Sequence, residues 1–257
     1  MPDFVRVEVS DHIAVVTLDS PPVNAQSVQM IEELTLVMDQ IGERPDIRVA
    51  VLTGAGKIFS AGADIKDRQR IATSQGGQAG AHSRLARETY YSVMECVKPV
   101  VCAINGPALG AGLALAASCD ILVASETACL GLPEIDVGLM GGGRHAMRLF
   151  GHSRLRRMML TGYRVQGPEL YRLGIVEACV PPERLMDEAM DIARTIAAKS
   201  PASARLAKQS LNAIEDMTLR DGYRYEQMMT AQLTKTDDSK EAMRAFVEKR
   251  KPNFTSR

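Results

Sequence analysis

The 257-residue chain has no tryptophan and few other aromatics, five Phe and six Tyr, so it offers little on which nucleic-acid bases could stack. An excess charge is also missing, since 31 Lys and Arg balance 31 Asp and Glu. Without a basic balance or basic runs, neither nucleic acid nor an anionic membrane is expected as a partner. The four histidines are scattered and no H-E-x-x-H occurs, so no metal is expected. The five cysteines, Cys96, Cys102, Cys119, Cys129 and Cys179, are odd in number, never form C-x-x-C and mostly sit among apolar neighbours. They read as small core residues of a protein in a reducing, cytoplasmic compartment. No signal or transit peptide is visible; instead Val5-Val7-Val9 and Ile13-Val15-Thr17 show the near-alternation of paired strands. Charge is absent between Lys98 and Asp120, a length that could span a membrane. Pro99 and Asn105-Gly106-Pro107 interrupt any continuous apolar helix there, so a buried strand, a tight turn and a buried helix are expected. Familiar nucleotide loops fail as well. Around Thr53-Gly54-Ala55-Gly56-Lys57, Val51 and Ile58 replace the first glycine and the Ser or Thr of a phosphate loop, and Phe59 replaces the third glycine of a dinucleotide fingerprint.

What the chain does have is a pair of turns. Phe59-Ser60-Ala61-Gly62-Ala63-Asp64-Ile65-Lys66 follows the apolar run Val49-Ala50-Val51-Leu52, and Asn105-Gly106-Pro107-Ala108-Leu109-Gly110-Ala111-Gly112 follows Val100-Val101-Cys102-Ala103-Ile104. Small residues at such turns allow close approach to a ligand, and backbone N–H groups there can stabilise a carbonyl oxygen as it becomes negative. Around these turns strands and helices alternate, which argues for an α/β core. Helical spacing is expected over residues 27–41, with Ser27 as cap and Gly42 as stop, and over 84–96. Strands are expected over 47–53, 99–104 and 120–124. Residues 66–81, centred on Gln75-Gly76-Gly77-Gln78-Ala79-Gly80, read as a mobile loop or poorly ordered helix bordering the pocket. Beyond Pro181 the pattern is nearly all helical: 183–199, 201–216, 219–232 and 237–249.

At these residues the chain resembles the crotonase, or enoyl-CoA hydratase/isomerase, family. The resemblance runs from Pro22-Val23-Asn24-Ala25 through both turns and Leu132-Pro133-Glu134-Ile135 to Phe246-Val247-Glu248-Lys249-Arg250-Lys251-Pro252-Asn253-Phe254. It implies a ββα spiral core over residues 1–195 and a helical oligomerisation region over 196–257, in a homotrimer or homohexamer. It also implies an acyl-CoA thioester substrate, with no cofactor beyond the coenzyme A that the substrate carries. By resemblance, the backbone N–H groups of Ala63 and Ala111 form an oxyanion hole. Asn24, Ala25, Ala61, Asp64, Ile65 and Lys66 border the coenzyme A, and Phe246 and Lys249 approach its nucleotide, in some relatives from a neighbouring subunit.

Family hydratases commonly use two glutamates. Here the second is Glu134, but the first position is Ala114. Glu134 follows the apolar run Cys129-Leu130-Gly131-Leu132-Pro133, where desolvation would raise its pKa and suit it to proton transfer. One base can move a double bond by taking a proton from C2 and returning it to C4, whereas hydration needs a positioned water too. Isomerisation is therefore favoured and hydration kept open; hydrolysis, decarboxylation or a catalytically weak binding role remain alternatives. Three further points are open. Ala111 stands where relatives have glycine, which is harmless in helical backbone and strained at φ > 0. Asp136 is an auxiliary acid/base or a turn residue. Gly141-Gly142-Gly143-Arg144-His145 departs from the family pattern near the acyl pocket, with His145 either a substrate ligand or an exposed or capping residue.

Overall fold

The computed structural model describes residues 4–73 and 76–254. β1 (Val5–Ser10) and β2 (Ile13–Leu18) pair antiparallel, as their alternation predicts. After the short β3 (Ala25–Gln26), α1 (Val28–Glu43) begins at Ser27, whose Oγ accepts the Met30 N–H at 3.2 Å. The helix continues through Gly42, the expected stop, and ends where Arg44 turns extended.

A strand, a short strand and a helix then repeat. β4 (Val49–Gly54) is followed by β5 (Gly62–Ala63), α2 (Ile65–Ala72) and α3 (Gln78–Met94). β6 (Val100–Ile104) leads to β7 (Ala108–Leu109) and α4 (Ala111–Ala116). β8 (Ile121–Ser125) leads to β9 (Cys129–Gly131), a single 3-10 turn (Pro133–Val137), α5 (Gly143–Ala146) and α6 (His152–Thr161). β10 (Arg164–Gln166), α7 (Gly167–Arg172) and β11 (Ala178–Val180) close the series. The main sheet runs β1-β2-β4-β6-β8-β11, parallel after its first pair, and the short strands form a second layer, β10-β9-β7 and β3-β5.

The loop expected over residues 66–81 is largely helix instead. Asp64 caps α2 by accepting the N–H groups of Lys66 and Asp67 at 2.8 and 3.1 Å, and Gly76 and Gly77, both at positive φ, confine the break to the start of α3. Residues 74 and 75 lie outside the described residues.

The main sheet buries both faces, following the two-residue period of a strand. Ala50 and Leu52 join a core with α1, while Val49 and Val51 face Ala189, Ala193 and Ala197 of α8 (Leu185–Ala197). Alanine at every fourth position lets this helix lie close against the sheet. The boundary expected at residue 195 therefore falls inside an element of the core. The helical region is α9 (Pro201–Ile214), α10 (Leu219–Leu233) and α11 (Asp237–Val247), with Ser200, Thr218 and Thr236 as caps. Among the described residues no helix is long and apolar enough to cross a membrane. The charge-free stretch is buried as β6, β7 and α4.

Candidate active site

Because β4 and β6 are parallel neighbours, the turns that follow them lie side by side. They are also stitched together: the Ser60 N–H donates to Pro107 O at 3.2 Å and the Leu109 N–H to Ser60 O at 2.9 Å. A Cβ added at Gly62 would lie 2.6 Å from Leu109 O and 3.3 Å from Ala111 N, and one at Gly112 would lie 2.4 Å from Ser60 O. These glycines let the two chain segments approach each other, whereas the sequence argument assigned them to ligand approach. The consequence for the site is that Ala63 and Ala111 line one cavity of about 690 Å³.

Backbone conformation answers the question raised by Ala111. Gly110, at φ 56 and ψ −117, takes the conformation that an L side chain resists, and Ala111 follows as the first residue of α4. Its N–H points to no carbonyl within the helix, since the first turn has none to offer.

Glu134 sits in the 3-10 turn after β9, facing the same two residues. A Cβ on Gly110 would meet Glu134 Oε1 at 2.5 Å, so the carboxyl lies directly over the backbone that leads into the Ala111 N–H. Oε2 is buried with no hydrogen-bond partner among the described residues. Burial pushes the Glu134 pKa above the usual carboxylate range, against the smaller opposing effects of a backbone hydrogen bond and the Arg68 charge. Ala114 lines the cavity from α4, so a methyl group stands where a second carboxylate was sought. Asp136 lines it too, two residues beyond Glu134 in the same turn.

Several wall residues escaped the sequence reading. α3 presents His82, Ala86 and Tyr90 at four-residue spacing, and α2 contributes Arg68. The Tyr90 hydroxyl lies 3.4 Å from Gln26 Oε1, and its pKa is pushed up to about 12, chiefly by burial, so it stays a donor. His145 is half-buried rather than exposed or capping. Its ring packs edge-on to Tyr90 at 4.9 Å, and burial together with Arg148 and Arg144 pushes its pKa down, favouring neutral imidazole. Gly141, Gly142 and Arg144 line the cavity beside it, so the segment that departs from the family pattern does border the pocket.

Of the residues expected around coenzyme A, Ala61 and Ile65 line the cavity; Asn24, Ala25, Asp64, Lys66, Phe246 and Lys249 do not. Asn24 is buried at φ 51 and fully engaged as a clip, donating to Ala55 O and Ile58 O at 3.0 and 2.7 Å and accepting the Ser20 N–H at 3.0 Å. Ala25 pairs with Gly62 in the β3-β5 ladder, and Asp64 is committed to capping α2. Lys66 faces solvent on α2, Phe246 is 85% exposed on α11, and Lys249 follows that helix at φ 53.

With this geometry in hand, comparison with known proteins is decisive. The pattern of the Enoyl-CoA hydratase/isomerase family matches residues 8–257. The chain belongs to that family. It is an acyl-CoA-processing enzyme with the crotonase fold. A crystal structure of enoyl-CoA hydratase from Bacillus anthracis superposes with a TM-score of 0.91 at 34% identity, covering 98% of this chain and 99% of that one. An enoyl-CoA hydratase subunit I from Geobacillus kaustophilus gives 0.90 at 34% identity, over 99% and 98%. A Rhodococcus jostii member, named a (7aS)-7a-methyl-1,5-dioxo-2,3,5,6,7,7a-hexahydro-1H-indene-carboxyl-CoA hydrolase, is 38% identical over 96% of this chain and 95% of its own. Within the enoyl-CoA hydratase/isomerase family, then, relatives of similar identity carry the names of different reactions.

Proposed function

We propose that this enzyme isomerises enoyl-CoA thioesters, with Glu134 as the single acid/base and the backbone N–H groups of Ala63 and Ala111 as oxyanion donors. The observation that carries the reading is the placement of the Glu134 carboxyl over Gly110, next to the Ala111 N–H, in a cavity that Ala63 also lines. A thioester oxygen held between the two N–H groups puts C2 of the acyl chain within reach of that carboxylate. Glu134 takes the C2 proton of a 3-enoyl thioester, and the released electron pair spreads over the dienolate and the thioester oxygen. The proton returns to C4, leaving a 2,3 double bond and an unchanged enzyme. In comparable sites the loss of one oxyanion donor costs about 3 kcal/mol, so the pair matters as much as the base. Ala114 argues against hydration as the main reaction, because the α4 wall offers an attacking water no carboxylate.

A second reading, hydrolysis at a carbonyl carbon, is favoured by His145, a half-buried imidazole held neutral and able to take a proton from water. The name of the Rhodococcus relative agrees with it. Purified enzyme and Glu134→Gln are to be compared on a 3-enoyl-CoA, a 2-enoyl-CoA and a saturated acyl-CoA. Conversion of the first that disappears in the variant supports isomerisation. Dominant hydration of the second, or cleavage of the third, replaces it.

Homotrimer or homohexamer formation belongs to the same proposal. Leu219, Phe246, Val247 and Met228 are 91, 85, 79 and 63% exposed on the helical region, more apolar surface than solvent-facing helices normally carry. Assembly there also gives Phe246 and Lys249 a route to a neighbouring subunit's nucleotide. Free thiols at all five cysteines accord with a cytoplasmic setting.

A further inference from the structure

The side of the cavity formed by α2 and α3 is built for a polar group. Arg68 makes no ion pair or side-chain hydrogen bond among the described residues, while its neighbour Asp67 is engaged by Arg70 and by the Val28 N–H, both at 2.9 Å. His82 Nδ1 is buried without a partner, and the Tyr90 hydroxyl has only the long 3.4 Å contact to Gln26. All three side chains line the same cavity, Arg68 from α2 and His82 and Tyr90 from α3. The three other wall arginines are placed differently: Arg87 lies 3.7 Å from Glu88, Arg144 is paired with Asp216 at 2.8 Å, and Arg164 acts on Cys129 beside β10. An alkyl chain lying on this wall would cover three polar groups and satisfy none, which is unfavourable. A carboxylate would accept from the guanidinium fork and also from the phenol and the imidazole.

We infer that the acyl group taken by this enzyme ends in a carboxylate received by Arg68, with Tyr90 and His82 as further donors, so that its substrates are monothioesters of dicarboxylic acids. The inference rests on the reading of the cavity as the acyl-CoA site. It makes Arg68 a specificity-determining residue and assigns it no part in the proton transfer.

Binding of unreactive saturated thioesters tests it without requiring turnover. Succinyl-, glutaryl- and adipyl-CoA are to be titrated calorimetrically against butanoyl-, pentanoyl- and hexanoyl-CoA, with free coenzyme A as reference, on the wild type and on Arg68→Met. Arg68 is exposed on its helix, so the variant should fold, and its melting temperature checks this. The expected result is that at least one dicarboxylic thioester binds roughly tenfold or more tightly than its alkyl counterpart, and that Arg68→Met removes this preference with alkyl affinity unchanged. Equal or tighter binding of the alkyl series overturns the inference. So does a variant that loses affinity equally for every thioester and for free coenzyme A, because the guanidinium would then serve the nucleotide. If no thioester binds better than free coenzyme A, the acyl-site reading falls as well, and the two failures are told apart.

Discussion

Lys208 and Glu134 are both drawn away from water, yet their surroundings differ. Lys208 is 5% exposed, and its ammonium reaches Val93 O at 3.0 Å, Lys98 O at 3.1 Å and Asp120 at 2.8 Å, which uses all three of its donors. Asp120 in turn also accepts the Val100 N–H at 2.6 Å. Glu134 keeps one buried oxygen without a partner, and His82 Nδ1 on the same cavity wall is likewise buried without one among the described residues. Where Lys208 pins α9 to the core, the ammonium and the Asp120 carboxylate are matched, and the one exception on that helix is Ser210 Oγ, buried without a partner among the described residues. Where the fold forms the cavity, the unmatched groups converge on the same space, as a site that completes its hydrogen bonds through a ligand requires.

Breaking the matched region should have the largest effect. Lys208→Met strands the Asp120 carboxylate, whose pKa burial already raises, and should cost about 3 kcal/mol of stability in denaturant unfolding. Activity per folded molecule should stay near wild type, because neither residue lines the cavity. Gly110→Ala strikes the boundary between the regions. The backbone conformation alone should cost about 1–3 kcal/mol. The new methyl also displaces the Glu134 carboxylate, so kcat/KM should fall by about 10²-fold, more than the stability loss explains.

Acid should sharpen the comparison. Glu134 must be ionised to act as a base, so kcat/KM should rise with pH through its raised pKa and level off above it. Arg68 holds that pKa down in part, so in Arg68→Met the profile should move to higher pH. The smallest effect is on stability. Between the ordinary carboxylate value and the raised native one, the folded state holds the extra proton, so ionising Glu134 weakens the fold as pH rises through that window and fully above it. Glu134→Gln should therefore melt slightly higher at neutral pH, by at most about 1 kcal/mol.

The sequence made these regions legible to different degrees. Val49–Gly54 and Val100–Ile104 read as strands because buried parallel strands are continuous apolar runs, and the helices after Pro181 announced themselves by helical spacing; their caps at Ser200, Thr218 and Thr236 came only with the structure. Glu134 was visible because the family resemblance places a glutamate there, and the apolar run before it adds a reason for the carboxyl to be desolvated. The α2-α3 wall was not, because glycines near residue 76 overshadowed a helical face. The signal was present in His82, Ala86 and Tyr90 at i, i+4 and i+8. The side chains of Asn24 and Asp64, both named by resemblance, are engaged in clipping a loop and capping a helix, and local hydrogen bonds of that kind leave no mark in spacing.

In the proposed reaction one carboxylate, Glu134, carries the proton between two carbons of the acyl chain. Incubating wild type and Glu134→Gln with a 3-enoyl-CoA in D2O and following the acyl signals by NMR tests it most directly. The expected outcome is the 2-enoyl isomer with protium from C2 delivered to C4 in preference to solvent deuterium, formed about 10²–10⁴-fold more slowly by the variant, and no accumulation of a hydrated product. Isomerisation at an undiminished rate in Glu134→Gln, or a 3-hydroxyacyl product as the main species from wild type, would contradict it.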